Sequence, residues 1–405
     1  MVKKIVIGLL LIFSVWVGFK TLKVERNSNE VVFWTLQMND FAPYMNKVIS
    51  EFEAQNPDIK IKWIDVPFSE GEKRTLASVL SDNPPDLINL NPDFSAILAQ
   101  KGALYEISEE DTKQYLPEIV DSLKYNGKIY SLPWYATSAI TIYNKDLLQK
   151  AGVSLPKTYT EIGEVAQTIK TKTNAYVFLP NISENDTMLK ILNKYGINSS
   201  DTINCEKSVQ VFEFFKSLYQ KDLIPKESVT QTHREALEKY MSGNTVIFQA
   251  GANFLNMIKE NAPTTYKQTD VAPQITGDLG QNDFSLMNFV IPLKSKHQQE
   301  ALKFALFLTN DENQLELAKL TNVLAVNKTT LNNEFYTKYE ENDLMSKARV
   351  ISAKQLNKVQ PVLKSARNQK EINTLINTAV QEILLNKNQT QSILDTVAKN
   401  WSLLN

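Results

Sequence analysis

Cysteine is almost missing from this chain: Cys205 stands alone among 405 residues. A single thiol forms no internal disulfide and builds no thiolate metal site. Sparing use of cysteine also suits an oxidising compartment. The segment Thr202-Ile203-Asn204-Cys205-Glu206 gives that thiol no cationic neighbour to lower its pKa, so it reads as structural. Histidine is scarce too, with only His233 and His297, each in polar, helix-like surroundings that fit a surface or capping role. No Gly-x-Ser-x-Gly elbow occurs, and the 12 glycines assemble no phosphate loop. No carboxylate pair is marked out for acid–base work, and neither an enzymatic activity nor a metal or other cofactor is expected. An excess of positive charge is also lacking: Lys and Arg number 44 against 45 Asp and Glu, a net charge of -1. That balance removes the electrostatic argument for a nucleic-acid partner.

What is present is a globular composition, 43% hydrophobic and 22% charged, over a length that suits two domains. Lys3 and Lys4 precede an uncharged apolar run from Ile5 to Phe19, and Lys20 and Lys23 follow it. This is the charge and hydropathy pattern of an export signal. Those 15 residues would span roughly 22 Å as a helix, short of a hydrocarbon core of about 30 Å unless flanking residues or local thinning help. No small-x-small cleavage site follows, the first alanine being Ala42, and no cysteine is placed for lipid attachment. An uncleaved membrane anchor is expected, with an atypically cleaved signal as the alternative. Either way the bulk of the chain is exported.

Residues 21–30 read as a polar tether. Val31–Thr35 is a β-branched and aromatic run, hence a strand, and Tyr44, Val48, Ile49 and Phe52 then recur at helical spacing. Asn56-Pro57-Asp58 breaks that helix, Ile59–Ile64 alternates as a second strand, a helix near Glu70–Leu80 follows, and Asp86–Leu90 makes a third strand. Strand alternating with helix predicts an α/β layered domain on a mostly parallel sheet. No repeat, low-complexity tract or Gly-rich linker intervenes. Strand-like runs at 129–143, 284–292 and 320–327 are placed to cross between two lobes, which predicts a hinge.

Ligands of α/β sheets bind beyond the carboxyl ends of strands. The first strand ends in Trp34-Thr35-Leu36-Gln37-Met38-Asn39, the third in Asn91-Pro92-Asp93, and Val246–Phe248 in Gln249-Ala250-Gly251-Ala252-Asn253. Each end offers amides, carboxylates or aromatics, a mixture that suits sugars: hydroxyls bond to Asn, Gln and Asp while the C–H face of the ring packs on Trp or Tyr. Bland readings stand beside these. Asn91 and Asp93 can serve the following helix, Trp34 can be core, and Gln249 and Asn253 can be turn residues. In Leu132-Pro133-Trp134-Tyr135, a proline and two large aromatics interrupt a run that otherwise reads as a buried strand, where proline is disfavoured.

From about residue 30 onward the chain resembles the extracellular solute-binding proteins of ABC importers, in particular the sugar-binding branch that includes maltose-binding proteins. The resemblance rests on VVFWTLQ, FEAQNPDIKIKW, NPPDLINLNPDFSAILAQKGALYEI, YNGKIYSLPWYATSAITIYNKDLLQKAG, FQAGANF and FVIPLKSKHQQEALKFALFLTNDENQ, in that order. It implies a two-lobed, periplasmic-binding-protein-like (type II) α/β fold with three hinge crossovers and a central ligand cleft. The implied division is 1–29 as signal or anchor and tether, 30–136 with 284–318 as lobe 1, and 137–283 with 319–405 as lobe 2. The Pro133 segment falls at the first crossover, which directs Trp134 and Tyr135 toward the cleft. Two departures bear on the ligand. Asn253 stands where family members often carry Trp, and Ser285-Leu286-Met287-Asn288 replaces a Gly-rich stretch, which brings Asn288 into consideration. The implied function is delivery of a carbohydrate or related polyol to permease subunits by a monomer on the extracytoplasmic face of a bacterial membrane, tethered through its N-terminal segment. Capture of a polyamine or glycerol-phosphate compound, or a ligand-sensing ectodomain, are the alternatives.

Overall fold

The computed structural model describes residues 29–36, 38–178, 180–356, 368–385 and 389–404. The expected anchor, the tether to residue 28 and the candidate Gln37 lie outside them. Among the described residues no helix is long and apolar enough to cross a membrane.

Twelve strands are described: β1 (Glu30–Leu36), β2 (Lys60–Val66), β3 (Leu87–Leu90), β4 (Lys124–Tyr125), β5 (Lys128–Ile129), β6 (Leu132–Thr137), β7 (Ala139–Asn144), β8 (Tyr176–Phe178), β9 (Thr245–Gly251), β10 (Thr269–Ala272), β11 (Ser285–Val290) and β12 (Leu324–Ala325). They form a six-stranded sheet of order β12-β6-β11-β3-β1-β2, a four-stranded sheet of order β10-β7-β9-β8, and the hairpin β4-β5. Each larger sheet is the centre of one lobe. The three strands expected from the first hundred residues are present as β1, β2 and β3, and β1 runs parallel to both of its neighbours. The parallel arrangement stops there. β11 is antiparallel to β3 and β6, and β12 is antiparallel to β6. These later strands arrive from or beside the other lobe, without the helical crossover that makes neighbours parallel.

Aromatics fill lobe 1 on one face of its sheet. Phe33 meets Phe304 edge-on at 5.4 Å, and Trp134 stacks on Phe289 at 4.6 Å. On the opposite face Trp34, Leu90, Phe94 and Leu98 form a second cluster. In lobe 2, helices Tyr159–Thr173, Glu206–Gln220, Gln369–Leu385 and Thr390–Ser402 bury Ile162, Phe212, Ile376 and Trp401 in one core with β8 and β9. Cys205 is free and exposed, immediately before the second of these helices.

Pro133 sits inside the six-stranded sheet, and two details accommodate it. Its partner is Asn288, at an irregularity between Met287 and Asn288, and the two-residue β12 reaches only Tyr135 and Ala136. Where β12 stops, the side chain of Gln314 takes over. Its Nε2 donates to the Trp134 carbonyl at 2.7 Å, and its Oε1 accepts from Val326 and Asn327 N–H at 2.8 and 3.0 Å.

Among the described residues the chain can be followed between the lobes at three places, and Leu356, just beyond the helix that follows the third, is buried with the lobe 1 core. Ser138 separates β6 from β7, and the loop between β10 and β11 makes the second crossing. The third does not fall at 320–327 as expected, because β12 pairs with β6 and Val326 and Tyr336 are buried in the lobe 1 core. It falls instead between Thr337, the end of a helix from Glu334, and the helix Leu344–Gln355, whose Ala348 packs with Ile140 and Phe248 of lobe 2.

Candidate functional site

A cleft of about 610 Å³ lies where the crossings meet, lined from both lobes. Lobe 1 contributes Tyr135 and Thr137 at the carboxyl end of β6, Phe284 and Ser285 at the start of β11, and Asn322. Asn322 adopts a left-handed conformation (φ 59) that ends the helix Asp311–Thr321, and its amide side chain borders the cleft. Lobe 2 contributes Gln249 and Asn253 from the end of β9, Asn181, His233, and the helix Thr187–Asn193 through Lys190 and Ile191.

Burial sets the protonation of these groups. It pushes the Tyr135 hydroxyl up to about 12, so the phenol stays neutral and able to donate. Tyr159 on the lobe 2 side is buried, and its hydroxyl is raised further by desolvation and the charge of Asp283, while a bond to Gln249 opposes the shift. His233 opens the helix His233–Met241 and packs its ring 4.9 Å from Phe248 and 5.0 Å from Phe254. Burial lowers its pKa, against the opposing field of Glu184, so the imidazole is neutral near neutral pH. Lys190 pairs with Asp186 at 3.1 Å. Burial works against its charge, but Asp186, Asp283 and Asp93 together outweigh burial and raise its pKa. Asp283 is held through Oδ2 by Lys194 at 2.9 Å. Among the described residues, the charges at or beneath the cleft wall include these two acid–base pairs and the Glu184 carboxylate, which accepts from Asn181 Nδ2 and from His233 N–H.

Three of the residues expected from the sequence line this cleft: Tyr135, Gln249 and Asn253. Asn253 is exposed, and its Oδ1 lies 2.5 Å from where a Cβ on Gly251 would be, so that glycine makes room for it. The others are elsewhere. Trp134 is fully buried in lobe 1, and strand alternation is the reason: it points into the core that its neighbour Tyr135 borders. Trp34 is buried on the far face of the same sheet, with the Arg74 guanidinium 5.1 Å over its ring. Asn39 is exposed and outside the lining, and its N–H donates to Asp65 Oδ2 at 3.0 Å. Asn91 caps the helix Pro92–Gln100 by accepting from Phe94 N–H at 2.8 Å. Asp93 borders a separate cavity of about 430 Å³ with Tyr125 and Tyr130, although its charge is felt by Lys190. Asn288 has no exposed surface and donates from Nδ2 to Ser95 Oγ at 2.7 Å. In the stretch Ser285-Leu286-Met287-Asn288, Ser285 reaches the cleft while Leu286 and Asn288 fill the core beneath it.

Sequence reasoning missed Asn181, Asp186, Lys190, His233, Asp283 and Asn322. His233 was expected to be a surface or cap residue, but Thr232 provides the cap and frees the His233 ring for the cleft. The four-residue spacing of Asp186 and Lys190 was a readable signal.

The match to the bacterial extracellular solute-binding protein family runs over residues 47–343, and the chain belongs to that family. It is 26% identical over 298 residues to the multiple sugar-binding protein of Streptococcus mutans, covering 67% of this chain and 69% of that protein. To the mannitol-binding protein of Pseudomonas aeruginosa it is 29% identical over 150 residues, 35% of this chain and 34% of that one. Among solved structures, a periplasmic-binding protein from Synechococcus sp. MITs9220 superimposes with a TM-score of 0.82 at 29% identity, covering 92% of this chain and 98% of that one.

Proposed function

We propose that this protein binds a neutral carbohydrate or polyol in the interlobe cleft and delivers it to an ABC permease on the extracytoplasmic side of the membrane. The carrying observation is the cleft's chemistry. Rings of Tyr135, Phe41 and Phe254 stand beside the amides of Asn181, Gln249 and Asn322, while Lys190 is already matched by Asp186. A phosphate-bearing ligand needs a cation left over for it, and a polyamine needs surplus carboxylates. Charges paired in this way, with the imidazole neutral, favour a ligand that carries hydroxyls and no net charge. The sugar-binding and mannitol-binding relatives support the same class. Contacts from both lobes favour the closed state, and the permease reads that state. The apolar run Ile5–Phe19 tethers a monomer to the membrane.

The test is a thermal-shift screen of the full-length protein in detergent against mannitol, maltose, maltotetraose, sn-glycerol 3-phosphate and spermidine. A neutral compound at 100 times its Kd stabilises by about 2.7 kcal/mol. Stabilisation by the phosphate or the polyamine alone would contradict the reading. Membrane fractionation and N-terminal mass spectrometry of protein from its own host test the tether: a new N-terminus between residues 20 and 30 would refute it.

A further inference from the structure

Lobe 2 meets the cleft partly through the segment that follows β8. Asn181 lies just beyond the carboxyl end of that strand and borders the cleft half-buried. The segment is tied down at three points. Gln231 Nε2 donates to the Pro180 carbonyl at 2.8 Å, Ser183 Oγ donates to the Val229 carbonyl, and Asn377 Nδ2, from the helix Gln369–Leu385, donates to the Asn185 carbonyl at 2.9 Å. Ile182 anchors it in the lobe 2 core. Glu184 N–H donates to the Asn181 carbonyl at 3.1 Å, and this turn brings the Glu184 carboxylate back beside the Asn181 side chain. One oxygen of that carboxylate, Oε2, accepts twice: from Asn181 Nδ2 at 2.5 Å and from His233 N–H at 2.8 Å. The His233 N–H opens its helix and has no partner within it, and an acid there also suits the positive end of the helix dipole. Glu184 itself does not line the cleft, whereas Asn181 and His233 do. Both of these side chains keep exposed surface at the cleft wall. Among the described residues Asn181 Oδ1 and the two imidazole nitrogens have no hydrogen-bond partner and are not enclosed.

We propose that Glu184 is a positioning residue that sets ligand specificity by turning the Asn181 amide, so that Oδ1 stands in the cleft as an acceptor for a ligand hydroxyl. This rests on the carbohydrate-binding reading. A carboxylate only accepts, so the amide must give it Nδ2, and the amide oxygen is left on the side away from Glu184. Without that partner the amide is free to turn either end outward, and the wall would take an acceptor as readily as a donor. With it, the site selects a hydroxyl at this point and rejects a group that only accepts, such as an ether oxygen. The same carboxylate oxygen holds the first turn of the helix that carries His233, so one side chain sets two of the cleft groups of lobe 2.

The test compares wild type, Glu184→Gln, Glu184→Ala, Asn181→Ala and the double alanine variant, as full-length proteins in detergent. Affinity is read by titration calorimetry with mannitol, maltose and maltotetraose, and stability by denaturant melts. Asn181→Ala should weaken binding about 3- to 10-fold, the range of a neutral hydrogen bond. Glu184→Ala should weaken it by a similar factor, because the amide is freed and the His233 turn loses its acceptor. Glu184→Gln should bind within about twofold of wild type: both hydrogen bonds end on one oxygen, which the Gln side chain retains, and the other carboxylate oxygen has no partner among the described residues. The double variant should lose less than the product of the two single losses, since Glu184 acts through Asn181. Losses that multiply, or wild-type affinity in either single alanine variant whatever its stability, would assign the pair a structural role and overturn the inference. Glu184→Gln binding as weakly as Glu184→Ala would make the charge itself the contact and overturn it as well. Each of these outcomes leaves the carbohydrate reading standing. Wild-type protein that responds to none of the three probes would overturn that reading and this inference with it.

Discussion

Trp134→Ala separates core from cleft by magnitude. The side chain has no exposed surface, stacks on Phe289 at 4.6 Å and meets Tyr135 edge-on at 5.0 Å. Truncating a buried Trp to Ala costs about 3–5 kcal/mol, and two lost ring contacts put this site in the upper half of that range. For a lobe of this size each kcal/mol lowers the melting temperature by about 2–4 °C, so a fall of roughly 8–20 °C is expected. Trp134→Phe should be far milder. The Trp134 Nε1–H is buried without a partner among the described residues, and removing an unsatisfied donor offsets part of the lost volume. The assay is a denaturant melt paired with titration calorimetry against the sugar that emerges from the thermal-shift screen. A Trp134→Ala protein with wild-type stability and abolished affinity would refute the reasoning and move this indole into the cleft.

Tyr135→Ala should do the reverse, losing on the order of 2 kcal/mol of binding, roughly thirtyfold, with a smaller loss of stability; calorimetry and a melt on one sample check both. Gln314→Ala should cost about 3 kcal/mol or more in a denaturant melt, because it strands the Trp134 carbonyl and the Val326 and Asn327 N–H groups. His233 has its pKa lowered by burial, so the unfolded chain takes up the proton first. Its contribution is complete above about pH 6.5, the unfolded value, and declines as pH falls toward the lower folded pKa. Melting temperatures between pH 7.5 and 5 should therefore fall less steeply for His233→Gln than for wild type, and identical slopes would contradict this.

Local signals were legible in the sequence where one residue type forces one backbone state. Asn126-Gly127 reads as a two-residue hairpin turn, and both residues take positive φ between β4 and β5. Gly152 reads as a helix stop and sits at φ 70, closing the helix Lys145–Ala151. Strand-like runs suggested where the chain crosses between lobes, yet the third crossing was misplaced, because Leu324 and Ala325 look like any short strand and only their partner β6 assigns them to lobe 1. The site was half legible for a similar reason. Strand ends pointed to Gln249, Asn253 and Tyr135, but the same rule could not say which face of a strand Trp34 or Trp134 occupies. Nor could it find Glu184, whose role exists only where two segments distant in sequence meet.

The central claim is that a sugar held between the lobes closes them. Solution scattering on the full-length protein in contrast-matched detergent, ligand-free and saturated with the sugar identified by the screen, measures this directly. The radius of gyration should shrink on saturation. A sugar that calorimetry shows to be fully bound while the radius of gyration is unchanged would contradict the account.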